Sequence, residues 1–187
     1  MISNKTDLTD FITTTLKPYG FKKRSNIWYL ETEECISALA LNKSSWSNQF
    51  YLDVLLVVKA LSKGTILKSS SDGEIMWRID ELFEEKRELN EYLDFENVDI
   101  LSQLRETVLN NALINQALPF LQKLTTVDGI KDMVNKYPKF KYCISDRLWN
   151  YLNLNVSREN PPSNENEKNI IKKNPFVIKT LGENDLT

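Results

Sequence analysis

The chain has 187 residues, a formal net charge of −2 and no histidine. Without histidine it lacks the commonest general base, the commonest zinc ligand and every Ser-His or Cys-His nucleophile pair. A balance this near neutral steers the molecule neither to nucleic acid nor to an anionic membrane, and the length suits one domain.

Taken in chain order, Asp7 or Thr6 is expected to cap a first helix that carries Leu8, Phe11, Ile12, Thr15 and Leu16 at helical spacing. Lys17 falls in its last turn, Pro18 stops it and Gly20 follows. Aromatic and β-branched residues then favour a strand over residues 27–33, with Ile27, Tyr29 and Glu31 on one side and Trp28, Leu30 and Thr32 on the other. Glu33 and Glu34 make a turn, and residues 36–42 alternate as a more apolar, central strand. The polar connector from Lys43 to Asn48 has the length and the Ser and Asn content of a hairpin loop. Residues 50–58 are nearly all apolar, with Asp53 the one charge before Lys59, and too short to span a membrane, so a strand buried on both faces is expected.

After a Ser/Gly/Lys loop over residues 63–73, residues 75–79 alternate like a fourth strand. The charged stretch 80–91 reads as a short helix with Leu82, Phe83 and Leu89 inward. Residues 98–124 carry the longest helical pattern, with Leu101, Leu104 and Val108 in one stripe and Leu109, Leu113, Ala117, Phe120 and Leu124 in another. Pro119 cannot donate to the carbonyl four residues back, which predicts a kink or break near residues 115–118. Thr126 and Asp128 open another helix that runs to Tyr137, and residues 144–152 form a last short one. The expected architecture is α+β: an antiparallel β-meander of about four strands, packed by an N-terminal helix and a long C-terminal helical region. Residues 1–152 form the domain. Residues 153–187, with Pro161-Pro162 in a run of Asn, Ser and Glu, read as a polar, flexible tail in which residues 176–178 offer one small strand.

Several chemistries are absent at the level of motif. There is no Cys-x-x-Cys pair, no Gly-x-x-x-x-Gly-Lys loop and no Gly-x-Gly-x-x-Gly, so neither a structural zinc site nor a nucleotide loop of those types is expected. No cofactor and no metal follow from the residue set, which leans away from an enzyme. Residues 1–12 lack the apolar core of a signal peptide, and Cys35 and Cys143 sit far apart in apolar contexts. A cytoplasmic protein with buried thiols is the natural reading. Lys43 beside Ser44 and Ser45 is better explained by polar turn chemistry than by a Ser-Lys catalytic pair. Glu31, Glu33, Glu34 and Asp53 offer oxygen for a divalent metal, but a solvated turn and a paired Asp53 explain them more simply. Asn174-Pro175-Phe176 matches a short adaptor-binding motif by chance in an Asn-rich tail.

Trp28, Tyr29, Trp46, Phe50, Tyr51 and Trp77 all fall on or beside the meander. Core packing accounts for Trp28 and Trp77. Trp46 differs, because Lys43, Ser44, Ser45, Ser47, Asn48 and Gln49 around it give a large ring no obvious core to enter. Two alternatives stand: a plug folded over the sheet edge, or an exposed anchor for a partner.

Four segments together resemble the bacterial domain-of-unknown-function 4304 family: Leu16-Lys17-Pro18-Tyr19-Gly20-Phe21-Lys22-Lys23, Asn26-Ile27-Trp28-Tyr29, the stretch from Asn42 through Lys43-Ser44-Ser45-Trp46 to Tyr51, and Leu121 through Thr126 to Gly129-Ile130. The resemblance covers residues 8–137 and implies an α+β domain of the bacterial cytoplasm with no established reaction. The histidine often found after the fourth strand of such sequences has no counterpart at Trp77-Arg78-Ile79.

The leading functional expectation is a non-enzymatic protein-binding module, with Lys43, Trp46, Asn48 and Gln49 as partner-binding residues. Its specific version is an immunity protein that neutralises a basic, toxin-like partner. Residues 78–106 carry ten acidic against four basic residues, which suits such a partner by charge complementarity. The alternative is a small-molecule-binding protein or enzyme with a pocket between sheet and long helix, for which Lys43, Asp53, Arg78 and Asp80 supply the polar groups. No pattern specifies an oligomeric state.

Overall fold

The computed structural model describes residues 1–62, 73–82 and 86–154. The expectations for Phe83, for most of the 63–73 loop, for the tail beyond Leu154 and for the Asn174-Pro175-Phe176 motif lie outside the described residues.

An antiparallel meander of five strands forms the centre, in the spatial order β1 (Lys22–Arg24), β2 (Ile27–Glu31), β3 (Cys35–Lys43), β4 (Phe50–Val58) and β5 (Ile75–Arg78). The sequence pattern yields four of these. β1 is the basic triplet Lys22-Lys23-Arg24, exposed throughout, and it pairs with β2 through Lys22 opposite Tyr29 and Arg24 opposite Ile27. A short charged edge strand carries no hydrophobic alternation, so only its backbone pairing reveals it. β2 and β3 meet at a turn where the Thr32 N–H donates to the Cys35 carbonyl at 2.9 Å. β3 and β4 pair over nine residues, from Cys35 opposite Val58 to Lys43 opposite Phe50.

Strand alternation sorts β4 onto two faces, and both are apolar, as expected for a strand buried on both sides. Phe50, Leu52, Val54, Leu56 and Val58 belong to the larger core, together with Trp28, Leu39, Leu41, Ile75 and Trp77. Leu55 and Val57 face the other way and join Ile27, Ala38 and Ala40 in a smaller buried cluster flanked by Tyr29 and Ile36. The buried apolar residues of the described helices all fall in the larger core.

The first helix, α1 (Lys5–Leu16), is capped by Asn4 rather than by Asp7 or Thr6. The Asn4 Oδ1 accepts the Thr6 and Asp7 N–H groups at 2.8 and 3.0 Å. Asp7 sits inside the first turn instead, where its carboxylate accepts the Ser3 N–H and hydroxyl at 2.9 and 2.6 Å. Leu8, Ile12 and Leu16 are buried, and the Trp28 indole donates to the Thr13 hydroxyl at 2.9 Å, which fixes the helix on β2. Pro18 lies in the 3-10 turn that ends the helix, and Gly20 takes a left-handed φ of 85° there.

β5 leads into a 3-10 turn (Ile79–Leu82), followed by α2 (Lys86–Tyr92), in which Leu89 is buried. The long helical path begins at Ser102, not at Val98: α3 (Ser102–Asn111), a π-helical segment (Ala112–Ala117) and α4 (Leu118–Lys123) follow one another directly. The expected irregularity before Pro119 is this widened segment. With no N–H at Pro119 to bond the Asn115 carbonyl, the ladder shifts, and Leu118 donates to Leu113, five residues back. Leu109, Leu113, Ala117, Phe120 and Leu124 pack inward as expected, whereas the Leu101 and Leu104 stripe does not.

α5 (Val127–Lys136) starts at the Thr126 cap, with its hydroxyl accepting the Gly129 N–H at 3.1 Å. A 3-10 turn (Pro138–Cys143) and α6 (Asp146–Tyr151) close the domain. The buried carboxylate of Glu74 holds this end to β5, accepting from the Ser145 hydroxyl at 2.5 Å and from the Arg147 guanidinium. Trp77, Phe120, Tyr137 and Phe140 form one aromatic cluster between sheet and helices, with ring centroids 4.8–5.8 Å apart.

Candidate functional site

The connector between β3 and β4 is short, polar and tightly fastened. The Ser44 N–H donates to the Gln49 carbonyl at 2.8 Å and closes the loop, and the Trp46 N–H donates to the Ser44 hydroxyl at 3.1 Å. The segment after α2 then pairs along its flank. Phe50 N–H donates to the Leu93 carbonyl at 2.9 Å, Phe95 N–H to the Asn48 carbonyl at 3.3 Å, and Asn48 N–H to the Glu96 carboxylate at 2.8 Å. With its backbone held on both sides, the connector projects the Trp46 ring into solvent at 96% exposure. The plug alternative is thereby overturned: the neighbouring residues are too polar and too close to the turn for the ring to fold back on apolar surface. Lys43 and Asn48 are also exposed.

Gln49 has a different role, as the link to a second group of residues. Its side chain accepts the Tyr51 hydroxyl at 2.8 Å and donates to the Asn90 carbonyl at 3.3 Å. The Asn90 side chain donates to Asp80 at 2.8 Å and accepts from Arg78 at 3.0 Å, while the Arg78 Nε lies 3.3 Å from the other Asp80 oxygen. The Arg78 guanidinium lies over the Tyr51 ring, 4.0 Å from its centroid. Asp53 stands opposite Arg78 in the β4–β5 register and accepts the Asn42 amide at 2.5 Å. Burial pushes the Asp53 carboxyl above its ordinary range, Asn42 and Arg78 pull it back, and Asp80 adds to the rise.

Asp53, Arg78 and Asp80 are thus brought together, joined by Asn42, Tyr51 and Asn90. Alternation along β4 signals that Tyr51 shares a face with Asp53, but nothing in the sequence pattern points to Asn90 on α2. Asp53 and Arg78 belong to the sheet face that carries Leu55 and Val57, whereas the space between the sheet and the long helix is lined by Leu39, Leu52, Leu113, Ala117 and Leu121, all buried.

The other candidate constellations do not assemble. Glu31 pairs with Lys59 at 3.0 Å, and Glu34 accepts the Val127 N–H at 2.7 Å, so neither approaches Asp53 as a metal ligand. Among the described residues no group of three or more His, Cys, Asp or Glu is placed to hold a metal ion. Cys35 and Cys143 are free thiols, pushed up by burial to about 11 and about 12, which makes them poor nucleophiles near neutral pH. No described helix is long and apolar enough to cross a membrane.

A family model described as a domain of unknown function (DUF4304) matches residues 12–123, more than half of the chain. The chain belongs to this family. The match runs from α1 through the whole sheet to the end of α4 and takes in both the Trp46 turn and the Asp53–Arg78 network. No curated protein and no solved structure matches the chain. Within the matched residues Pro18 and Gly20 have a folding reason, since they end α1, and so does Trp28, which anchors it. The Trp46 side chain has no such reason.

Proposed function

We propose that this DUF4304 domain is a non-enzymatic protein-binding module that uses Trp46 as its anchor. The observation that carries the reading is a fully exposed tryptophan on a turn fixed by hydrogen bonds from both flanks. Exposing an indole to water is unfavourable, and burying it in a partner's pocket returns that free energy. Because the turn is already ordered, little conformational entropy is lost on docking. Lys43 and Asn48 flank the ring as polar contacts. In its specific version the module is a cytoplasmic immunity protein of a bacterium, and its partner a basic toxin, drawn by the acidic run around residues 80–106.

The rival reading, a small-molecule site or an active site, draws on the Asp53, Arg78 and Asp80 group. Asp53 and Asp80 accept from Asn42 and Asn90, and Arg78 donates to Asn90. The buried Arg78 Nε and Asp80 Oδ1 face each other as an ion pair without a hydrogen bond, an arrangement that supports a role in holding α2 to the sheet edge. The test is capture of a partner, from cells that make the chain, by immobilised wild type and by Trp46→Ala. A partner retained by wild type should bind the variant about 2 kcal/mol or more weaker, a loss of roughly thirtyfold. Equal retention by both proteins would remove Trp46 from the site.

A further inference from the structure

Resting on the reading of Trp46 as an anchor, we infer that the interaction surface extends across the start of α3, through Val98, Leu101 and Leu104, and that its occupant is a protein segment with apolar side chains flanked by Lys or Arg. Among the described residues the exposed large hydrophobic side chains include Trp46 at 96%, on the turn bonded to the 93–96 segment, and Val98 at 88%, Leu101 at 73% and Leu104 at 47%, in the stretch of chain that follows that segment. Scattered exposed apolar residues are ordinary, but a group of them around one fixed loop marks an interaction surface.

The loop is fixed by Arg105. Its buried guanidinium donates to the carbonyls of Asp94 at 3.1 Å, Asn97 at 3.5 Å and Ile2 at 3.2 Å, and it lies over the Phe95 ring at 4.4 Å. The same segment holds the Trp46 turn through the bond from Asn48 to Glu96. Trp46 and Val98 therefore each lie two residues from one hydrogen bond, about 7 Å of extended chain on either side. Leu101 precedes α3 in extended backbone with no side-chain cap, so the apolar side chain stands where a polar cap is usual.

Charge selects the occupant. Glu91, Asp94, Glu96 and Asp99 lie in the segment that holds the turn and leads to Leu101, and Lys43 is the one basic residue in the stretches 43–49 and 91–101. A second copy docked by the same patch would set these carboxylates against each other, and nucleic acid would bring phosphates to them. A basic, partly apolar protein segment matches both these acids and the exposed apolar side chains that neighbour them in the chain.

Photo-crosslinking tests this directly, with p-benzoylphenylalanine placed singly at Trp46, at Leu101 and, as a control on α5, at Asn135, in cells that make the chain. The expected result is one polypeptide captured from both Trp46 and Leu101 above the control. The captured peptide should contain Lys or Arg beside apolar residues. Its yield in extract should fall roughly fivefold or more between low and moderately high salt, and Asp99→Lys should lower capture from Leu101. Capture from Trp46 alone overturns the extended surface while leaving the anchor intact. Capture of a second copy, or of a peptide without basic residues, overturns the choice of occupant, and no capture above the control at either position removes both readings.

Discussion

The turn at residues 44–49 and the junction between α4 and α5 are both short polar connections, yet the fold uses them in opposite ways. At the junction the polar groups are bonded into the fold and Leu124 is buried. The Thr125 carbonyl accepts the Thr32 hydroxyl at 2.7 Å, the Thr126 hydroxyl caps α5, and Glu34 takes the Val127 N–H. Gly129 sits so close that a Cβ there would lie 1.9 Å from the Lys123 carbonyl oxygen. At the 44–49 turn the backbone is equally well bonded, but its largest side chain touches nothing that folding needs. The contrast separates residues chosen by architecture from one that architecture leaves free.

Removing buried aromatic surface gives the upper reference for that contrast. Trp77→Ala should cost about 3–5 kcal/mol in denaturant melts, because the ring packs against Phe120, Tyr137 and Phe140 at once. A loss below about 1 kcal/mol would mean that the aromatic cluster is not a central part of the core. Gly129→Ala tests the junction itself. The clashing atom is backbone, so α4 and α5 must separate, and a loss of about 1–3 kcal/mol or more is expected. An alanine tolerated without cost would show that the junction is looser than its geometry, and the comparison would lose its first half.

These differences set what was legible in the sequence. Three strands of the meander were readable within a residue or two and β5 within one, since period-two alternation and apolar runs report burial directly. Thr126 as a cap and the irregularity before Pro119 were readable because each follows from one residue's backbone chemistry. β1 was not, because Lys22-Lys23-Arg24 gives pairing without burial. Nor was the start of the long helix. The helical pattern starts at Val98 in sequence, with Leu101, Leu104 and Val108 as one stripe, but pairing of the 93–95 segment with Asn48 and Phe50, and the hold of Arg105 on the loop, delay the helix to Ser102. Asp53, Arg78 and Asp80 do come together, but Asp53 and Arg78 belong to the sheet face away from the long helix, whereas their residue types alone suggest a pocket between sheet and helix. Asn90 and Arg105 reach their positions only through tertiary contacts.

A smaller effect is expected from the buried acid. The Asp53 carboxyl is raised in the fold, chiefly by burial, so the unfolded chain ionises first as pH climbs past about 3.9. The contribution of Asp53 to stability is thus fully present at lower pH and is lost as pH rises through the folded value. Asp53→Asn removes this dependence while leaving a carbonyl oxygen to accept from Asn42. Melts of both proteins between pH 4 and pH 7 should show the variant gaining on wild type as pH rises. A gap moving the other way would mean that Arg78 outweighs desolvation at this position.

The smallest effect on stability belongs to Trp46, and it decides whether the two connections differ as argued. The ring is 96% exposed and only its backbone N–H is bonded, to Ser44. Trp46→Ala leaves that N–H in place, opens no cavity and removes no buried apolar area. The melting midpoint should therefore stay within the range of an ordinary surface substitution, about 0.5 kcal/mol either way. Trp77→Ala supplies the comparison within one fold, since the same side chain is deleted from the aromatic cluster. If the two variants lose similar stability, Trp46 is part of the packing after all and the anchor reading fails with it. If Trp46→Ala melts like wild type and still loses its partner, the tryptophan acts in recognition and not in folding.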